Sequence, residues 1–410
     1  MQPTCDSSGL IPVETTLEAL LSQANGVTET ETVGLNNALG RVLAQDVHSQ
    51  INVPPFNASA MDGYAINSAD IGSHTALPIS QRIAAGQQPS AALAQGSVAR
   101  IFTGAPLPEG ADTIVMQEAC SVENDLVTLP AEIKADQFVR PKGCHVSQGT
   151  VILAGGTKLG PAEIALTAST GINEITVYRR FKVALLTTGD ELIEPGLPLQ
   201  PGKIYNANQY MLTNMLTALN CEVTNIGPVI DDAIAIKTAL RQAAQSCDVI
   251  ISSGGVSVGE EDHVKTVVET LGRLDLWRIR IKPGKPLAFG NVLGKAFIGL
   301  PGNPVSSFVT FCLFARPFIL KSQGLTQTEA KSFPIAADFE QSKPDNRREY
   351  KRVSLVTNEG GQIMAQPYNS QDSATLISTT NSDGLLCVPE GVTFKRGEVL
   401  SFTPYSELLG

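Results

Sequence analysis

The sequence predicts a multi-domain chain of the α/β plus β class. An α/β unit with a mostly parallel sheet is flanked by small β-rich regions, the last of them a C-terminal β-barrel. Three observations carry this expectation. The chain has 410 residues, more than one ordinary core holds at roughly 100–200 residues per domain. From Lys182 to Leu320, short β-branched runs alternate with segments of helical periodicity, the mark of a parallel sheet covered on both faces. Outside that stretch, short strands broken by Gly, Pro, Asn and Asp take over, which is all-β texture.

In chain order, Val13–Ser22 sets Leu17, Leu20 and Leu21 at helical spacing. Leu35–Ala44 reads as a second short helix. Ser97–Phe102, Thr113–Met116 and Leu126–Thr128 read as strands, and Pro161–Ser169 as a helix leading out of the β-rich region. The α/β grammar then runs as strand Lys182–Thr187, helix Asn206–Leu219, strand Glu222–Ile226, helix Asp232–Ala244, strand Asp248–Ile251 and helix Glu261–Leu271. Trp277–Ile281, Pro286–Phe289 and Ala296–Ile298 are further strands, and Pro304–Leu320 closes with a helix. From Pro334 to Phe402, short strands return and read as a small barrel. Ligands of such α/β sheets bind beyond the carboxyl ends of the strands.

Composition narrows the function classes. Hydrophobic residues make up 42% and charged residues 17%, so burial can offset chain entropy and disorder is not expected. The net charge of −10 argues against nucleic acid as a partner, whose binders present a basic surface. An acidic protein that binds an anion must gather cations locally. Cys5, Cys120, Cys144, Cys221, Cys247, Cys312 and Cys387 form no CxxC pair, which suggests neither a zinc site nor a disulfide framework and fits a reducing compartment. The opening residues show no signal-peptide pattern. The most apolar stretch, Phe308–Leu320, is short and carries Arg316 and Pro317, so a buried helix is expected and no membrane partner. The expected location is the cytoplasm.

Several segments could carry chemistry. Ser252-Ser253-Gly254-Gly255-Val256-Ser257-Val258-Gly259 lies between a strand and a helix. It is either a phosphate cradle at a helix N-terminus or a tight turn that needs glycine. It lacks the lysine of a P-loop. Gly299-Leu300-Pro301-Gly302-Asn303-Pro304 is a second loop of this kind, with Asn303 suited to the helix cap and Pro304 to the first turn. Trp277–Ile281 as a strand turns Arg278, Arg280 and Lys282 to one face, with Lys285 just beyond. These cations either guard an edge strand or meet an oxyanion. Arg347, Arg348, Lys351 and Arg352 form a second basic cluster. Acidic loops recur at Thr188-Gly189-Asp190-Glu191, Asp231-Asp232 and Glu260-Glu261-Asp262. They either cap helices or converge on one magnesium ion, which favours one or two carboxylates with water and phosphate. The turns around Asp62-Gly63 and Thr103-Gly104 are structural first. The four histidines form no ligand-spaced pair.

Together these motifs resemble the molybdopterin molybdenumtransferase family, the bacterial MoeA proteins and the gephyrin E-domain. The resemblance rests on Ser59-Ala60-Met61-Asp62-Gly63-Tyr64-Ala65, Thr103-Gly104-Ala105-Pro106, Thr188–Glu191, Ser252–Gly259, Lys282-Pro283-Gly284-Lys285-Pro286 and Gly299–Pro304. It spans essentially the whole chain. It implies a MogA-like three-layer α/β domain of residues 1–26 and 181–327 and a connecting domain of 27–47 and 150–180. Residues 48–149 would form a β-rich domain and 328–410 a C-terminal barrel. It also implies a homodimer that uses adenylylated molybdopterin, molybdate and Mg²⁺, releases AMP, and takes a molybdopterin adenylyltransferase as a further partner. Carried onto this chain, Glu191, Asp231 and Asp262 handle metal, pyrophosphate or water, and Asp62 and Thr103 are catalytic. Ser252, Gly254, Gly255, Ser257 and Gly259, with Pro301, Gly302, Asn303 and Pro304, hold the pterin nucleotide. Arg278, Lys282, Lys285, Arg352 and Ser373 complete substrate and molybdate binding. Two positions depart from the family: Arg278 stands where lysine is common, and His145 where relatives carry aspartate. An adenylyltransferase and a non-catalytic scaffold are the competing readings.

Overall fold

Buried β-branched runs dictate the centre of the α/β region, where strands covered on both faces lose their alternation. The computed structural model describes residues 9–72, 76–255 and 263–409. Strands β1 (Lys182–Thr188), β2 (Glu222–Val229), β3 (Val249–Ser253), β4 (Gly272–Arg278), β5 (Pro286–Val292) and β6 (Lys295–Leu300) lie in the order β2-β1-β3-β6-β5-β4. The first four in that order are parallel; β5 pairs antiparallel with both β6 and β4, so β4 runs in the direction of the first four. Alternate side chains feed two cores. Val183, Leu185, Val249 and Ile251 pack with α1 (Val13–Leu21), α2 (Ala207–Ala218) and the long apolar helix near residue 310. Ala184, Leu186 and Ile250 pack with α3 (Ala233–Ser246) and α4 (His263–Leu271). Helix α3 shows why: Ile236, Ala239, Leu240, Ala243 and Ala244 are buried at helical spacing.

Helix α5 (Pro304–Ser322) has the length and apolarity to cross a membrane, but it is almost wholly buried in the protein. It is therefore longer than the apolar stretch its sequence flags, and it includes a π-helical turn at Phe311–Ala315. Beyond it, β7 (Phe333–Ala337), β8 (Arg348–Thr357), β9 (Ile363–Pro367), β10 (Gly384–Val388) and β11 (Val399–Pro404) run in the order β8-β9-β7-β11-β10. Pairing of β8 with β10 closes the barrel.

Two expectations are corrected. Leu35–Ala44 forms a single 3-10 turn, Leu35–Asn37. Gly40 follows at φ +74°, where a helix cannot continue. The strand expected at Trp277–Ile281 is instead the end of β4, which stops at Arg278. The Arg280 amide donates to the Ile11 carbonyl at 2.8 Å and so leaves the sheet. Ile281–Lys282 then pairs with β8 of the barrel.

By contacts the chain divides into two units. One comprises residues up to Glu31, Gly40–Val42 and Val177–Gly410, and the other Thr32–Leu39 and Leu43–Thr176. The second unit has its own six-stranded sheet among the described residues. Its order is Thr113–Met116, Gly63–Ile66, Val98–Ile101, Leu77–Ile83, Leu126–Thr128 and Ser121–Glu123. Separate apolar clusters form around Tyr64 and Val98 and around Ile83 and Ile114.

Candidate functional site

Thr188, Ser253 and Leu300 end the neighbouring strands β1, β3 and β6. The loops that leave them, with the segment entering α2 and Asp231 beyond the end of β2, line a cavity of about 670 Å³. That is a usual volume for a small-molecule site, and the carboxyl edge is its usual place in this architecture.

Glycine lets the loops close together. Gly254 and Gly255 have φ of +90° and +68°. A Cβ on Gly254 would lie 2.8 Å from the Thr188 carbonyl oxygen, and one on Gly255 would overlap Val264. The Gly254 amide donates to the Leu300 carbonyl at 3.2 Å, and among the described residues the only atom within 4 Å of a Cβ on Gly302 would be the Cα of Gly254, at 3.8 Å. Asn208, in the first turn of α2, ties the two loops: its Nδ2 donates to Ser253 Oγ at 2.9 Å and to the Gly302 carbonyl at 2.7 Å. Of the first loop, Ser253, Gly254 and Gly255 line the cavity. Ser252 is fully buried, and among the described residues its hydroxyl has no partner. Ser257 and Gly259 lie outside the described residues. Pro301, Gly302, Asn303 and Pro304 all line the cavity. Pro304 opens α5, but Asn303 makes no capping bond. Its Nδ2 donates instead to Ser373 Oγ at 3.1 Å, which corrects the capping role expected of its side chain.

Two of the three expected carboxylates meet here. Glu191 and Asp231 line the cavity, while Asp262 lies outside the described residues. The Ile204 amide donates to the Glu191 carbonyl at 2.8 Å, and the Asp231 amide to Asp190 Oδ1 at 3.1 Å, so both backbones are pinned. Asp232 takes the capping role, accepting from the Ile234 and Ala235 amides at 3.0 and 2.9 Å. That leaves Asp231 as the member of the pair in the cavity wall. Among the described residues no three His, Cys, Asp or Glu side chains cluster tightly enough to hold a metal ion.

The cations are arranged differently from the expectation. No lysine or arginine is among the described lining residues. Lys282 pairs with Glu349 at 3.1 Å and Asp345 at 3.7 Å. Lys285 is exposed and adjoins Pro286, a lining residue. Arg278 is exposed at the end of β4. Arg352 is 1% exposed, and burial pulls its pKa below the ordinary arginine value. Its guanidinium donates to Ser378 Oγ at 3.1 Å and to the Asp372 carbonyl at 3.0 Å. It therefore braces, from behind, the loop that carries Ser373. In the other unit, Asp62 Oδ1 accepts from the Thr103 amide at 2.8 Å and the Thr103 hydroxyl at 2.9 Å. The amide bond, and next the hydroxyl, hold the Asp62 carboxyl below its usual pKa.

Sequence reasoning missed Asn208. Its signal was a polar residue in the first turn of a helix that starts at the ligand edge, which is indistinguishable from ordinary helix-start chemistry without the loops it touches.

Three regions match known families: residues 11–171 the MoeA N-terminal region (domain I and II), 184–321 a probable molybdopterin binding domain, and 335–405 the MoeA C-terminal region (domain IV). A molybdopterin molybdenumtransferase of Haemophilus influenzae is 39% identical over 95% of this chain and 98% of its own length. One from a Nostoc species is 37% identical over 92% and 88%. The crystal structure of the molybdopterin biosynthesis MoeA protein from Pyrococcus horikoshii OT3 superposes with a TM-score of 0.82 at 29% identity. It covers 97% of this chain and 100% of that one.

Proposed function

The chain belongs to the MoeA family, and we propose that it is an enzyme that inserts molybdenum into molybdopterin, the step that completes molybdenum cofactor. One observation carries the reading. Two glycine-opened loops and two carboxylates, Glu191 and Asp231, share one cavity at the carboxyl edge of the sheet. The substrates on this reading are adenylylated molybdopterin and molybdate, and AMP is released. The substrate's adenylate would come from a molybdopterin adenylyltransferase.

The chain's own groups support each part. The glycine-opened loop at Gly255 and the start of α5 suit a pyrophosphate, which favours N–H donors and the positive end of a helix dipole. Lys285 and Arg278 supply mobile positive charge from the flank, offsetting repulsion between two anions. Lys282, held by Glu349 and Asp345, anchors the turn that carries Lys285. Ser373, fixed against Asn303 and backed by Arg352, offers a hydroxyl to molybdate. Glu191 and Asp231, with Asp262, suit Mg²⁺, which takes a few carboxylates and completes its shell with water and phosphate. Bound there, the ion would supply Lewis-acid stabilisation at phosphorus. The same reading takes the protein as a homodimer and gives Asp62 and Thr103 catalytic roles.

The test is AMP release from adenylylated molybdopterin. It is expected to require both molybdate and Mg²⁺, to stop on chelation, and to fall roughly 10²–10⁴-fold in Glu191→Ala with an unchanged melting temperature. Molybdate-independent AMP release, or full activity in the folded variant, would refute the reading.

A further inference from the structure

Asn208 is fixed on one side and open on the other. Its amide cannot be flipped: the Gly302 carbonyl can only accept, and Ser253 Oγ directs its own proton to the Pro301 carbonyl at 3.4 Å. Both therefore face Nδ2, and both Nδ2 protons are used. Oδ1 is left on the opposite corner, in a partly exposed residue of the cavity wall. Among the described residues no bond to it is found. The neighbouring Asn206 is unlike it: 1% exposed, its Nδ2 bonds Thr187 Oγ1 at 2.9 Å, and its Oδ1 accepts from the Gln209 amide at 3.4 Å.

We propose that Asn208 determines specificity by accepting, at Oδ1, a hydrogen bond from an exocyclic amino group on a heteroaromatic ring of the substrate. This rests on the cavity being the substrate pocket. A fixed acceptor facing a ligand selects a donor. A ring carrying an oxo group at that position would set two acceptors face to face, which is a repulsive means of discrimination. Because Nδ2 is committed to the loops, Asn208 cannot rotate to suit the oxo ring without releasing both loops. Two parts of the proposed substrate carry such an amino group, the pterin and the adenine, and both present the same chemistry to Oδ1.

The experiment uses the full-length protein and two matched pairs, pterin against lumazine and AMP against IMP. Each pair exchanges an exocyclic amino group for an oxo group. Affinities come from ligand fluorescence for the first pair and calorimetry for the second. For the pair whose ring is seated at Asn208, wild type is expected to favour the amino compound about tenfold, the value of one well-made hydrogen bond. Asn208→Ala should bring that ratio to near one and leave the other pair's ratio unchanged. Asn208→Asp, which keeps an acceptor but loses the donors to the loops, should weaken binding yet keep the preference. A ratio that persists in Asn208→Ala, or equal binding within both pairs by wild type, would overturn the role of Asn208 and spare the pocket. Failure of all four compounds to bind would overturn the pocket and this inference together. Should Asn208→Ala not fold, the wild-type ratios and Asn208→Asp still decide.

Discussion

At the residue scale, Asp248 shows how much one carboxylate can organise. It sits at the amino end of β3, opposite the cavity edge, and accepts from Arg179 Nη1 at 2.7 Å, Arg179 Nη2 at 2.9 Å and the Lys182 amide at 2.8 Å. Arg179 also pairs with Glu29. Burial works to raise the Asp248 pKa, but the Arg179 and Lys182 bonds outweigh it and leave the carboxyl below its ordinary value. A folded-state pKa below the unfolded one means that the carboxylate stabilises the fold above about pH 3.9, the unfolded value. That contribution is lost as pH falls through the lower, folded value. Asp248→Asn is therefore expected to cost roughly 1–3 kcal/mol near neutrality, measured by urea denaturation. The gap between variant and wild type should narrow as pH falls below about 3.9. A gap that stays constant across that range would rule out the charged pair as its source. Neither Asp248 nor Asn208 stands out in the sequence, because each is defined by partners far along the chain. Asn208 meets Gly302 at a separation of 94 residues, and Asp248 meets Arg179 at 69. The positions of Glu191 and Asp231 in the cavity wall were legible because both follow strands at the carboxyl edge of the sheet.

At the element scale, periodicity was a good guide wherever one face or both faces of a segment are buried. Thr113–Met116, Leu126–Thr128 and Pro161–Ser169 have the bounds their sequences indicate. It failed where the decision was tertiary. The apolar alternation of Trp277, Ile279 and Ile281 is real, since all three are buried, yet the backbone changes partners between them. The two glycine loops show the same dependence and differ in a testable way. Gly255 combines a positive φ with a Cβ position that overlaps Val264 and lies 2.9 Å from Thr188 Oγ1. Gly255→Ala should cost roughly 1–3 kcal/mol through backbone strain and displaced packing. At Gly302 the nearest atom to a new Cβ among the described residues is 3.8 Å away, so Gly302→Ala should change stability by less than about 0.5 kcal/mol. Paired melting curves decide: equal destabilisation would mean that Gly255 is not conformationally required.

At the scale of the whole molecule, the excess of acidic residues and the anionic substrates proposed for the cavity are reconciled by position. The described cavity wall contains carboxylates, whereas Lys285 and Arg278 stand exposed beside or beyond it and Lys282 and Arg352 are engaged by the barrel. Composition gave notice that cations must be gathered, but which of them are already paired depends on contacts between the α/β region and the barrel. The division into two units makes a separate prediction. Among the described residues, the apolar clusters around Tyr64 and Val98 and around Ile83 and Ile114 share no residue with the two cores of the α/β region, so each core can melt without emptying the other. The chain's single tryptophan, Trp277, is 7% exposed and stacks on Phe289 with ring centroids 5.7 Å apart, so its fluorescence reports the α/β core alone. Far-ultraviolet circular dichroism reports both units. Ile114 is fully buried in the β-rich unit, and Ile114→Ala removes packing worth roughly 2–5 kcal/mol. For a unit of this size that lowers its melting temperature by roughly 5–15 °C. The expected outcome is a dichroism transition that moves down in part while the Trp277 transition stays in place. If both signals shift together and by the same amount, the two cores unfold as one cooperative body, and the division is geometric but not energetic.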